Sequence, residues 1–243
     1  MELWGITDRG AVRRQNQDAY QAGLIGSDSL GFAVVCDGMG GALAGNVAST
    51  MALRCFWDSV TDRCAAGLPN DPESVLRGAL DAANEAVFHR SCQDRDCQGM
   101  GTTLVSVLTN GQRAWVLNVG DSRCYLADGE SIRQVSRDHS LVELLVARGE
   151  ITPEQARSHP RKNLITRALG VESRVAPDVF ALDCPAGGYF LLCSDGLSNQ
   201  VTGQEILYEI LYGGTPDTCP RRLLDIALKR GAPDNVTAVL LRL

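Results

Sequence analysis

"TTLVSVLTNGQRAWVLNVGDSRCYLADG", residues 102–129, holds three apolar runs separated by short polar breaks. Each run has the length and the Val/Leu content of a strand, and the last closes on an Asp-Gly turn. Strands joined so closely leave no room for crossover helices between them. That argues for antiparallel pairing rather than an alternation of strand and helix.

The flanks extend the pattern. Upstream, "LWGITDRG", "AYQAGLI" and "GFAVVC" read as three strands. From Asn46 to about Val60, Val47, Met51, Ala52, Cys55 and Phe56 fall at helical spacing. Pro72 opens a second helix with Leu76, Leu80, Ala83 and Val87 on one face. Downstream, Leu141–Arg148 predicts a short amphipathic helix, and "VFALDCPAGGYFLLCS" predicts two strands around a Pro-Ala-Gly-Gly turn. Helices near Gln204–Tyr212 and Cys219–Arg230 precede a last strand, "VTAVLLRL". No linker, repeat or low-complexity stretch divides the chain, so residues 1–243 read as one domain. With about ten strands and helices apolar on one side, the expected class is α+β. The expected architecture is a four-layer α-β-β-α sandwich, two antiparallel sheets flanked by helices.

Composition narrows the function. The 243 residues are 44% hydrophobic and 21% charged, ordinary for a globular protein. A net charge of −6 with no Lys/Arg stripe excludes counterion-displacing nucleic-acid binding. It also means that a phosphate-handling site must draw positive charge from bound cations or a few placed arginines. The nine cysteines contain no Cys-x-x-Cys, and Cys36 and Cys193 sit inside apolar runs as small hydrophobes. No signal peptide or membrane span is visible, so a reduced cytoplasmic protein without a membrane partner is expected.

The chemistry gathers where apolar strands stop. "FAVVCDGMGG", residues 32–41, runs from a strand straight into Asp37 and three glycines. "RAWVLNVG" ends at Asp121, "YFLLCS" at Asp195-Gly196, and Asp234-Asn235 precedes the last strand; Asp18 starts another. Any one of these reads as a turn, since Asp and Asn bond their own backbone and Gly supplies positive φ. Repeated at strand ends, they become candidates for convergence, and converging carboxylates need a cation. Hard cations such as Mg²⁺ and Mn²⁺ take such oxygen ligands, and Gly38 would let a carbonyl approach one. There is no Gly-x-Ser-x-Gly elbow and no Walker loop. Three histidines are too few for a His-rich zinc centre. His89 lies on a helix flank, while His139 and His159 could be structural or adjacent to a site.

The ordered set "TDRGAVRRQNQDAY", "VVCDGMGG", "MGTTLVSVL", "NVGDSRCYL", "SRDHSLVELLVARGEITPEQARSHP", "NLITRALG", "LLCSDGLSNQV" and "PDNVTAVLL" resembles the metal-dependent protein phosphatases. These are the PPM or protein phosphatase 2C family, and the likeness is to its small bacterial single-domain Ser/Thr members. It implies hydrolysis of phosphoserine and phosphothreonine on proteins by a metal-activated water at a binuclear Mn²⁺ or Mg²⁺ centre. By motif position, Asp37 would bridge both metals and the Gly38 carbonyl would bind one. Asp195 and Asp234 would complete the shell, and Asp121 would join Asp195 at a third metal. Asp18 would orient water, and Arg13, in Gly-x-x-Arg-x-x-Asn-x-Asp, would grip the phosphate. Residues 140 to about 160 would form the flap beside the site.

The resemblance also implies phosphorylated proteins as partners, an opposing bacterial Ser/Thr kinase among them, and a monomer. A histidine that follows the glycines or Asp-Gly in relatives is replaced by Ala42 and Met39. Metal-bound water and His159 are left as candidate acids. A catalytically silent, metal-binding module is the competing reading, as is a phosphatase for one regulatory phosphoprotein. A broken aspartate would favour the silent module, and none is broken.

Overall fold

The computed structural model describes every residue except Asp28, Ala42 and Leu43 and the side chain of Arg157. The expectation about Ala42 therefore lies outside the described residues. In chain order, β1 (Glu2–Asp8), β2 (Asp18–Ile25) and β3 (Leu30–Met39) lead into α1 (Ala44–Arg63) and α2 (Pro72–Gln93). Five strands follow: β4 (Gly101–Thr102), β5 (Leu104–Thr109), β6 (Arg113–Val119), β7 (Arg123–Ala127) and β8 (Ile132–Gln134). Next come α3 (Leu141–Ala147), α4 (Pro153–Arg157), β9 (Asp178–Asp183) and β10 (Tyr189–Cys193). The chain finishes with α5 (Asp195–Ser198), α6 (Gly203–Leu211), α7 (Cys219–Lys229) and β11 (Val236–Arg242).

These strands build two antiparallel sheets. One has the order β1-β11-β10-β7-β8; the other runs β2-β3-β5-β6-β9, with β4 paired to β3. The α+β sandwich expected from the sequence is the observed fold. Sequence reading missed β4 and β8, both too short to show a period.

Strand alternation sorts the core into three layers. On β3, Phe32, Val34 and Cys36 face α1 and α2, packing with Phe56, Leu76 and Leu80. Phe32 stacks on Trp57 with ring centroids 4.7 Å apart. Truncating such a buried ring costs about 3–5 kcal/mol. Ala33 and Val35 point the other way, into the space between the sheets, where Val105, Val107, Phe190, Leu192 and Val239 meet them. The outer face of the other sheet buries Leu191, Cys193, Ala238 and Leu240 against α6 and α7 through Ile206 and Leu223. Cys36 and Cys193 are thus core residues, and all nine cysteines are free thiols.

Parity then decides where Asp37 lies. It follows Ala33 and Val35 on the inter-sheet face, one step beyond the last apolar layer. β2 pairs Asp18 directly with Asp37. The buried inter-sheet core therefore ends, at one edge of the sandwich, in carboxylates.

Candidate active site

Each acidic side chain reaches this edge for a local reason. The Asp37 backbone is clamped: its N–H donates to Thr103 Oγ1 at 2.9 Å, and its carbonyl accepts from the Thr102 hydroxyl and the Thr103 N–H, both 2.9 Å. Gly38 donates its N–H to the Gln17 carbonyl at 3.1 Å. A Cβ on Gly38 would lie 2.0 Å from the Gly45 carbonyl oxygen, so the start of α1 seats here only against glycine. Asp195 opens α5, immediately after β10. Asp121 follows Gly120, whose φ of +102° turns the chain at the end of β6.

Asp18 is the most enclosed of the set. Its Oδ2 accepts hydrogen bonds from Ser194 Oγ at 2.7 Å and Thr237 Oγ1 at 2.6 Å, while Oδ1 is buried without a partner among the described residues. Asp195 has the same asymmetry: Oδ2 accepts from Asn199 Nδ2 at 3.2 Å, and Oδ1 is a buried orphan among the described residues. Orphaned buried carboxylate oxygens are costly and need explaining.

The electrostatics confirm convergence. Burial pushes the Asp37 carboxyl well above its ordinary range, and the charges of Asp18, Asp195, Asp121 and Asp234 push it further. Asp18 rises to about 7, chiefly through burial, against the pull of its two hydroxyl donors. Burial and the neighbouring Asp195 raise Asp121 to about 7, and burial and Asp234 raise Asp195 to about 6. These groups lie close enough to disfavour one another's ionisation.

One cation already answers them. Arg13 Nη2 donates to Asp234 Oδ2 at 2.7 Å. Arg13 and the five aspartates are therefore one cluster, with Gly38 at its floor. His159 is not joined to it; its Nδ1 accepts from the Arg161 N–H at 3.1 Å within the flap.

His139 is buried and structural. It donates its N–H to the Gly120 carbonyl at 2.8 Å, accepts the Gly120 N–H on Nδ1 at 3.2 Å and faces Asp178 with Nε2. Burial lowers its pKa, which suits a neutral ring that accepts on Nδ1. His89 stands exposed on α2, as expected.

A cavity of about 980 Å³ opens from Asp121 and Asp195 toward Val142, Val146 and Lys162. Its far wall is the segment carrying α3 and α4, each capped by its own residue, Ser140 and Thr152. The base of that segment is zipped: Leu141 N–H donates to the Leu164 carbonyl at 2.9 Å and Thr166 N–H to the His139 carbonyl at 2.7 Å.

Among the described residues, no three His, Cys, Asp or Glu side chains are closed up as a ready metal cage. Carboxylates of like charge keep apart until a cation draws them in, and Arg13 occupies Asp234 meanwhile. The donor set still fits hard divalent ions: it is all oxygen, partly buried and mutually repelling, and it includes the orphan Oδ1 of Asp195.

Comparison with known proteins decides the family. Residues 10–213 match the family described as protein phosphatase 2C. The chain belongs to the protein phosphatase 2C family. It is 38% identical to the serine/threonine phosphatase stp of Listeria monocytogenes over 96% of this chain and 92% of that protein. Its fold superposes on serine/threonine phosphatase Stp1 from Staphylococcus aureus with a TM-score of 0.90 at 35% identity, covering 100% and 94% of the two chains. The PstP catalytic domain, solved in complex with two manganese ions, gives a TM-score of 0.86 at 35% identity over 98% and 96%.

Within this family frame, two residues stand out that sequence reading passed over. Arg123 lies on β7 two residues after Asp121 and lines the same cavity. It is held bidentate by Asp138, with contacts of 3.0 and 2.7 Å to Oδ2, and its charge partly offsets the rise that burial and like charges impose on Asp121 and Asp195. The two-residue spacing was the available signal. Asn235, beside Asp234, carried no signal beyond its turn-forming type.

Proposed function

We propose that this serine/threonine phosphatase hydrolyses phosphoserine and phosphothreonine on proteins, with water as nucleophile, at a binuclear Mn²⁺ or Mg²⁺ centre. The observation that carries the reading is the cluster itself: five aspartates at strand ends, two of them with buried oxygens unpartnered among the described residues, beside one exposed arginine. Asp37, the Gly38 carbonyl, Asp195 and Asp234 would hold the pair, and Asp121 with Asp195 a third ion. When bound, such ions neutralise phosphoryl oxygens and activate the attacking water, which suits one of the slowest uncatalysed hydrolyses.

The chain's own groups supply the rest. Asp18, fixed through Oδ2 by Ser194 and Thr237, keeps Oδ1 free to accept a hydrogen bond from the attacking water. Arg13 offers a forked donor to the phosphate once cations relieve it of Asp234. Residues 140 to about 160 form one wall of the cavity where the phosphorylated segment would lie. The proton for the departing serine or threonine oxygen comes from water or from His159.

The same reading takes residues 1–243 as one catalytic domain, supported by the single inter-sheet core. It places a monomer in the cytoplasm opposing a Ser/Thr kinase, whose own phosphorylated form is among the substrates. No helix of the described residues is long and apolar enough to cross a membrane.

Hydrolysis of a phosphothreonine peptide with Mn²⁺, Mg²⁺ or EDTA, beside Asp195→Ala, tests the proposal. Turnover should require the metal and vanish in the variant. Absence of turnover with metal still bound would favour the silent-module reading instead.

A further inference from the structure

The loop that carries Arg13 has little packing of its own. Residues 11–15 are exposed, and Val12 is 68% accessible. A guanidinium meant to meet a phosphate in one orientation needs its backbone fixed, because a small misplacement of a positioning group costs much of its effect. What fixes it is one buried side chain from the opposite end of the sequence.

Asn235 is only 6% accessible and spends its whole amide on this loop. Oδ1 accepts the Gln17 N–H at 2.8 Å, and Nδ2 donates to the carbonyls of Arg9 and Gln15, both at 2.9 Å. The three contacts bracket Arg13 on both sides. Two backbone features reinforce the seat: Ala11 N–H donates to the Ala232 carbonyl at 3.0 Å, and a Cβ on Gly10 would stand 2.1 Å from the Asp234 carbonyl oxygen. Only an amide has both the acceptor and the paired donors that these three backbone groups require. A carboxylate at the same place would set two oxygens against two carbonyls.

We infer that Asn235 is a positioning residue for substrate phosphate: its amide clamps the Arg9–Gln17 loop and so holds Arg13 where it can grip. The inference rests on the proposed role of Arg13. Neighbouring residues divide the labour, Asp234 serving the acidic centre and Asn235 the loop that faces it.

The test measures kcat and KM for a phosphothreonine peptide, and Mn²⁺ binding by calorimetry, in Asn235→Ala, Arg13→Ala and the double variant. Asn235→Ala should raise KM by about tenfold with kcat little changed, the pattern of lost ground-state binding. Mn²⁺ affinity should stay near that of the parent protein. The double variant should be no worse than Arg13→Ala alone, because the clamp acts through the arginine.

Brief trypsin treatment gives a readout independent of activity. Asn235→Ala should be nicked faster after Arg13 and Arg14 while the rest of the chain resists. Asn235→Ser serves if the alanine variant does not fold. Unchanged KM and unchanged nicking would overturn the inference. So would Mn²⁺ affinity falling in step with KM, or a full additional loss on top of Arg13→Ala. An Arg13→Ala protein with unaltered KM would instead remove the premise, and that is read from the single variant without reference to Asn235.

Discussion

Of the Asp-Gly pairs that end apolar strands in this molecule, two have opposite electrostatics. Asp128-Gly129 closes the β7–β8 hairpin in the open. Its Oδ1 accepts the N–H groups of Glu130 and Ser131 at 2.9 and 2.7 Å, and these bonds lower its pKa. Asp37-Gly38 ends β3 between the sheets. Among the described residues no N–H or hydroxyl group eases that carboxylate, and burial with four like charges raises its pKa. The first carboxylate serves its own turn; the second is held in place by Thr102 and Thr103 through its backbone, leaving the side chain for something else. An aspartate that costs the fold stability in isolation is a candidate for function.

Removing the charge at Asp37 should produce the widest split between activity and stability. Asp37→Asn keeps the shape and the backbone clamp but deletes one centre of repulsion. Metal-dependent turnover should fall by more than about 100-fold, since even indirect partners of a metal site are worth 10–100-fold. In EDTA the variant should melt no lower than the parent, with an advantage that grows as pH rises, because the parent must then ionise a carboxyl whose pKa burial holds up. A variant that lost both activity and stability would mean that Asp37 supports the fold, as any turn residue does.

The pH dependence of the chelated protein sharpens the contrast next. Asp18 and Asp121 titrate near 7 and Asp195 near 6 in the folded chain, against an ordinary value of 3.8. The folded state therefore binds more protons than the unfolded state between these limits. Its stability is fully present below about pH 4 and is lost as pH rises toward 7. His139, whose pKa is lowered by burial, acts in the reverse sense below pH 6.5, but it is one group against three. Saturating Mn²⁺ should reverse the trend, because cations bind the ionised carboxylates and stabilise more as pH rises. Thermal melts at pH 5 and pH 7.5, with EDTA and with Mn²⁺, check both signs. Higher stability at pH 7.5 in EDTA would show that the carboxylates do not crowd one another.

The contrast between the two turns was only half legible in the sequence. Repetition of acidic strand ends suggested that several would meet. Short-range pattern reaches that far. It does not show that Asp128 points to solvent, because "YLADG" and "VVCDG" read alike without knowing which strand end another sheet covers. Nor does it separate His139 from His159, since what makes His139 structural is Gly120 and Asp178, 19 and 39 residues away. Asn235 escaped for the same reason: all three of its amide contacts lie more than 200 residues back along the chain. Arg123 was closer to hand, two residues beyond Asp121, yet its pairing with Asp138 depends on how the chain returns from β8. Residue types and local periods announce strands and acids, while the partners that give each acid its role are set by topology.

Asp128 then supplies the smallest effect and the control for the others. Asp128→Ala removes acceptors for Glu130 N–H, Ser131 N–H and the Ser131 hydroxyl, all at an exposed tip where water replaces them. The hairpin keeps its Ser131 carbonyl bond to the Asp128 N–H at 3.0 Å, which does not involve the side chain. The melting temperature should fall by no more than about 2–4 °C, the response of a chain this size to losing one modest interaction. Phosphopeptide turnover and Mn²⁺ binding should match the parent, because Asp128 lines no part of the cavity beside Asp121 and Asp195. Since the substitution is the same loss of a carboxylate before a glycine, any fall in turnover here would mean that the difference between the two turns is not burial among like charges.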